Sequence, residues 1–181
     1  MPGATTVDPD RDAVTVRTQA TWRRRWRRIW RERALLLSVF MALTVSRVAL
    51  LVVPFRRLAR MLGPADIESP TEVGQAALAE ANRLAWAIRV LSRRTPWART
   101  CFPQALAGLA LLRRHRVPST LYLGVALRPD RSGLEAHAWL RCGTLYVTGG
   151  HGHHHYGIVA RFGEAPQNRL TASDAMSDDA L

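Results

Sequence analysis

CFPQALAGLALLRRHRVPSTLYLGVAL, residues 101–127, places a helix directly before a strand. The helix is expected to open at Cys101–Pro103 and to run to about Arg114. Pro103 suits its first turn, where a missing N–H costs nothing. Val117-Pro118 breaks it, and Thr120–Leu127 follows as a strand rich in apolar and aromatic residues. Downstream, LEAHAWLRCG (residues 134–143) reads as a second strand, Leu134–Cys142. Gly143-Thr144 then makes a tight turn into a third, Leu145–Thr148. Upstream, Val73, Ala77, Ala81, Leu84, Ile88 and Leu91 recur at three- and four-residue steps and predict an amphipathic helix over roughly Glu72–Arg93. Thr95-Pro96 ends it. Helices followed by an antiparallel meander give an α+β fold, with no internal repeat.

The 181 residues suffice for one domain with extensions, and 48% hydrophobic residues can build a core without disulfides. All 26 Lys+Arg residues are arginine, which excludes Schiff-base and P-loop lysine chemistry. Two cysteines, Cys101 and Cys142, make no disulfide framework and point to a reducing, cytoplasmic compartment. The net charge of +12 is local: residues 22–60 carry eleven arginines against one glutamate, whereas residues 164–181 sum to −3. Residues 1–20 and 164–181 are expected to be disordered tails. Residues 21–62 form a basic and apolar helical region, 63–71 a Gly/Pro-bearing linker, and 72–163 the core.

Within that basic region Trp22, Trp26 and Trp30 form one stripe among arginines. The apolar stretch Ala34–Phe55 follows, broken by Arg47 and stopped near Pro54. Its longest uncharged run, Ala34–Ser46, has 13 residues, fewer than the roughly 18 of a confident span. A signal peptide is not expected, because the apolar run begins too far in. A helix packed on the domain, a membrane-surface or partner-binding helix and a true span are the three readings, and periodicity does not decide among them. The arginines accompany no nucleic-acid recognition motif, so nucleic acid is not an expected partner.

Two residues carry candidate chemistry. Cys101 stands at a helix start, where free N–H groups and the positive end of the dipole favour a thiolate, with Arg94 and Arg99 near in sequence. His137 lies mid-strand, on one face with Glu135 and Trp139. A thiol nucleophile needs an imidazole to take its proton and return it to the leaving amine. A small buried cysteine and a structural histidine are the plain alternatives.

Taken together, Cys101 with Gln104 in C-x-x-Q-A-x-A, Arg113-Arg114, Gly124-Val125 and the A-H-A-W strand Ala136–Trp139 resemble the leader peptidases of lasso peptide biosynthesis. These are microcin-processing, transglutaminase-like cysteine proteases. PFRRLARMLG, residues 54–63, is also similar to the N-terminal region of that family. The resemblance spans roughly residues 21–163. It implies a papain- or transglutaminase-like core, in which a Cys-bearing helix packs on a small antiparallel sheet. Cys101 would be the nucleophile, His137 the general base and then acid, and the Cys101 N–H an oxyanion donor. It implies three partners: a precursor peptide, a separate leader-recognition protein and an ATP-dependent macrolactam cyclase. It implies no cofactor.

The family's third residue, an acid that orients the imidazole, falls on Thr148, Gly149 and Gly150, none of them a carboxylate. A backbone carbonyl, Thr148, or a carboxylate such as Asp130 or Glu135 would have to replace it. An imidazole in the wrong tautomer costs about 10⁴ in rate in a serine-protease triad. A catalytically impaired homologue that binds precursor and cyclase as a scaffold, in peripheral contact with a membrane, is therefore the alternative function. His151, His153, His154 and His155 are interrupted by Gly152 and lack an adjoining Cys or carboxylate, so a solvated loop is expected rather than a metal site. Cys142, at a strand end, reads as structural.

Overall fold

The computed structural model describes residues 32–130 and 132–163. The tryptophan stripe at 22–30 and both expected tails lie outside them. The chain divides into two compact units, residues 1–38 and 39–181. Only the opening of one helix, α1 (Glu32–Val52), is described in the first unit. In the second unit α1 continues and is followed by α2 (Phe55–Met61), α3 (Gln75–Arg94) and α4 (Cys101–Arg114). Strands β1 (Thr120–Leu127), β2 (Leu134–Cys142), β3 (Leu145–Thr148) and β4 (Gly157–Gly163) complete it. The architecture is α+β, as expected.

The sheet is antiparallel with spatial order β3-β2-β1-β4. The meander of β1 to β3 follows the sequence reading, but β4 was not foreseen. It leaves the far edge, crosses over and pairs with β1, Leu121 opposite Phe162. GIVARFG lacks alternation, and Ile158 and Val159 are exposed, so the period-two signal is missing. Helices α3 and α4 cover the sheet face that carries Leu121, Ala138, Leu140 and Cys142, all essentially inaccessible. Alternation therefore sends Tyr122, His137, Trp139 and Arg141 to the other face.

The uncharged-run reading underestimates α1. It is one 21-residue helix of mean hydropathy 2.3, long and apolar enough to cross a membrane, with 17% of its most apolar window buried. In the second unit it shows two stripes. Val39, Leu43 and Ser46 are buried, while Met41, Val45, Val48 and Val52 are exposed. Pro54 stops it, and the Arg113 guanidinium donates to the carbonyls of Met61 and Leu62 where α2 ends.

Residues 63–71 are no loose linker. Ala65 bridges to Phe162, Asp66 N–H donates to Arg161 O at 2.9 Å, and Ser69 N–H donates to Thr120 Oγ1 at 2.8 Å. Buried Arg141 fastens the same strap. It donates through Nη2 to Glu68 Oε1 at 2.7 Å, through Nε to the Tyr122 hydroxyl at 2.9 Å and through Nη1 to Gly143 O at 2.6 Å. Tyr122 donates its own proton to Glu68. A buried guanidinium needs such a set, because an unpaired charge there is strongly destabilising.

The hydrogen bond from Tyr122, opposed by desolvation and then aided by the Arg141 charge, holds the Glu68 carboxyl below its ordinary value. A depressed carboxyl contributes stability above its unfolded pKa and loses it as pH falls through the folded value. We therefore expect Glu68→Gln to melt below wild type at pH 7, with the gap closing as the pH is lowered through the carboxylate range. Melting curves across pH check this; a gap independent of pH would contradict it.

Candidate functional site

Cys101 is the first residue of α4 and is half-buried. Thr100 precedes it in extended conformation and makes no side-chain cap, so no side chain occupies the first-turn N–H groups. Gln104 donates instead to Ala98 O at 2.7 Å, fixing the approach to the helix. Pro103 sits buried in the first turn.

His137 stands on β2 opposite Gly124 of β1. Gly124 is needed there, because a Cβ would lie 2.8 Å from the Trp139 ring and 2.9 Å from Tyr156 Cβ. The space it leaves is filled by a ladder of rings. Tyr122 stacks on Trp139 (5.4 Å), Trp139 on His137 (5.8 Å), and His137 on Tyr156 (4.8 Å).

The orienting group is a backbone carbonyl. His137 Nε2 lies 2.8 Å from Gly149 O, twelve residues on. A carbonyl only accepts, so Nε2 carries the hydrogen and the neutral ring keeps Nδ1 free as a base. The other substitutes are engaged elsewhere or unengaged. Asp130 accepts from the Ser132 amide and hydroxyl, Glu135 faces the Tyr156 hydroxyl, and Thr148 Oγ1 has no hydrogen-bond partner.

The structure does not join the two candidate residues directly: no hydrogen bond links Cys101 Sγ to His137 among the described residues. What they share is Tyr156, which the sequence reading missed. Its ring packs on the imidazole, and its hydroxyl is close enough to Cys101 to respond to a thiolate charge. Desolvation first, then the Glu135 carboxylate and the Cys101 charge, raise the Tyr156 hydroxyl above its ordinary value and keep it a proton donor. The only sequence signal for Tyr156 was its place just after the histidine run.

That run is partly structural. His153 Nδ1 lies 2.7 Å from Gly150 O and its ring packs on Tyr146 at 4.3 Å. Successive glycine carbonyls thus hold two imidazoles. No group of three or more His, Cys, Asp or Glu among the described residues could hold a metal ion. Cys142 is fully buried, and burial pushes its thiol up against the lowering charge of Arg141.

Gly149 has a left-handed φ of +65°, and a Cβ there would lie 2.3 Å from Ala138 O. No aspartate can therefore replace the carbonyl from this position. Gly149→Ala is expected to lose more than the ~1–2 kcal/mol of the left-handed conformation alone, or about 2–4 °C of melting temperature per kcal/mol. Gly157→Ala, whose Cβ meets only Val125 O at 3.6 Å, is the control and should stay near wild type. Equal melting of the two variants would contradict the crowding at Gly149.

Comparison with known proteins agrees with this architecture. The Transglutaminase-like superfamily matches residues 49–161, which include α2 to α4, β1 to β3 and most of β4. Neither curated proteins nor solved structures give a significant match. With a helix-borne cysteine, a strand-borne histidine and a match over well over half its length, the chain belongs to the transglutaminase-like superfamily, which includes cysteine peptidases.

Proposed function

We propose that the protein is a cysteine peptidase that removes the leader from a ribosomally made lasso peptide precursor, before a separate ATP-dependent cyclase closes the macrolactam. The observation that carries this reading is the 2.8 Å contact of His137 Nε2 with Gly149 O, where the family's acid would fall. It supplies the tautomer that the chemistry requires.

In this reading, His137 Nδ1 takes the Cys101 proton. The sulfur attacks the carbonyl carbon between leader and core, and the carbonyl π-electrons move onto oxygen. The Cys101 N–H, at the uncapped start of α4, faces that oxyanion. Collapse breaks the C–N bond, and the imidazolium gives its proton to the departing core amine. Water, deprotonated by His137, then hydrolyses the thioester, releasing the leader carboxylate and restoring the thiol. Thiol and imidazole must close on each other when substrate binds, since catalytic hydrogen bonds often tighten only in the complex. A separate recognition protein would present the leader.

The missing Cys101–His137 bond and the missing acid favour a second reading, a scaffold that holds precursor and cyclase without cutting. Peripheral membrane contact is proposed alongside either, through the exposed stripe of Met41, Val45, Val48 and Val52, which follows the arginine-rich segment in sequence.

One reaction tests these readings. Purified protein is mixed with the precursor and recognition protein encoded beside it, with anionic vesicles present, and leader release is followed by mass spectrometry. Cys101→Ala should lower the rate by about 10⁴-fold or more, and His137→Ala by roughly 10²–10⁴-fold. No cleavage by folded, leader-binding wild type would give the scaffold reading. Sedimentation of the same mixture at low and high salt reads the membrane contact; protein left in the supernatant at low salt would remove it.

A further inference from the structure

Beside the candidate site lies a cleft of about 600 Å³, between α3, the segment before α4, and the end of β3. It adjoins the site at two points. Gln104 belongs to the first turn that Cys101 opens, and Gly149 is the residue that holds His137. Neither Cys101 nor His137 lines it, so it is a space next to the chemistry rather than the chemistry itself.

The lining is of one sign. Arg89 and Arg93 come from α3 and Arg99 from the segment before α4, and no carboxylate is present. None of the three guanidinium groups has an ion-pair partner among the described residues, although Arg83, Arg141 and Arg161 do. Ser92 and Thr148 also line the cleft, at 7% and 6% exposure, and neither hydroxyl has a hydrogen-bond partner. Arg89, Ser92 and Arg93 lie three and four residues apart on α3, and so share one side of it.

We infer that this cleft is a specificity subsite for a carboxylate side chain of the peptide substrate, an aspartate or glutamate held by Arg89, Arg93 and Arg99. A carboxylate accepts about four hydrogen bonds and matches the guanidinium fork. Peptide is the source chosen over free phosphate because the cleft runs into Gln104 and Gly149, where a bound chain would continue toward Cys101. In that choice the inference rests on the peptidase reading.

The test uses the full chain carrying Cys101→Ala, so that binding is read without cleavage. Two fluorescein-labelled decapeptides, identical except that two adjacent aspartates in one are asparagines in the other, are titrated by fluorescence anisotropy at low ionic strength. The aspartate peptide should bind about tenfold tighter or better, equivalent to 1.4 kcal/mol per tenfold. Adding Arg93→Gln with Arg99→Gln should erase the preference. Arg56→Gln with Arg57→Gln, on α2, should leave it, which separates the cleft from the general basic charge.

Equal affinity for the two peptides, or a preference that survives the Arg93/Arg99 pair, would overturn the subsite. So would inorganic phosphate raising the melting temperature while the aspartate peptide fails to bind, which would make the cleft a phosphate site. The two proposals fail separately. A protein that prefers the acidic peptide but never cleaves keeps the subsite and loses the peptidase. One that cleaves neighbouring acidic and neutral precursors with equal kcat/KM keeps the peptidase and loses the subsite.

Discussion

The hydrogen bond from His137 Nε2 to Gly149 O is the interaction on which the site depends. It sets the tautomer, fixes the plane of the ring and leaves Nδ1 as the basic nitrogen. A carboxylate in that place would also stabilise the imidazolium by charge; a carbonyl offers only its dipole. The substitution therefore keeps orientation and gives up part of the electrostatic support. The left-handed turn at Gly149 makes it possible, since it brings backbone against β2 where any side chain would collide with Ala138 O.

Much of the remaining fold holds that turn and that ring in register. Leu140 pairs with Thr148, which fixes where β3 ends and Gly149 begins. Trp139, Tyr156 and the space left by Gly124 confine the imidazole from both sides. Arg141, two residues beyond Trp139 on the same strand face, ties β2 and Tyr122 to the strap at Glu68 and Ser69. The contacts gather at the imidazole, whereas Cys101 at the head of α4 makes no hydrogen bond to it.

The helix at 101–114 and the strands at 120–127, 134–142 and 145–148 were legible because proline, glycine and apolar periodicity mark their ends. Strand β4 was not, since its apolar residues do not alternate and its partner is β1, remote in sequence. Residues 63–71 look like a linker from Gly63, Pro64 and Pro70, yet Glu68 and Ser69 are tied down by contacts to Tyr122, Thr120 and Arg141 that local composition cannot reveal. The candidate nucleophile and base could be named from motif and resemblance. The orienting group was left among a backbone carbonyl, Thr148, Asp130 and Glu135, because every residue carries a carbonyl and the sequence does not say which one the fold turns toward the ring. Tyr156 was hidden for a similar reason: its role arises from ring packing across strands.

The most direct measurement is the tautomer of His137. Nitrogen-15 NMR of histidine-labelled protein, at a pH where the ring is neutral and with the signal assigned through His137→Gln, distinguishes a ring protonated at Nε2 from one protonated at Nδ1. A single Nε2–H form, lost or averaged in Gly149→Ala, is the expected result. A ring protonated at Nδ1, or a wild-type ring exchanging freely between both forms, would contradict the claim that the Gly149 carbonyl stands in for the acid.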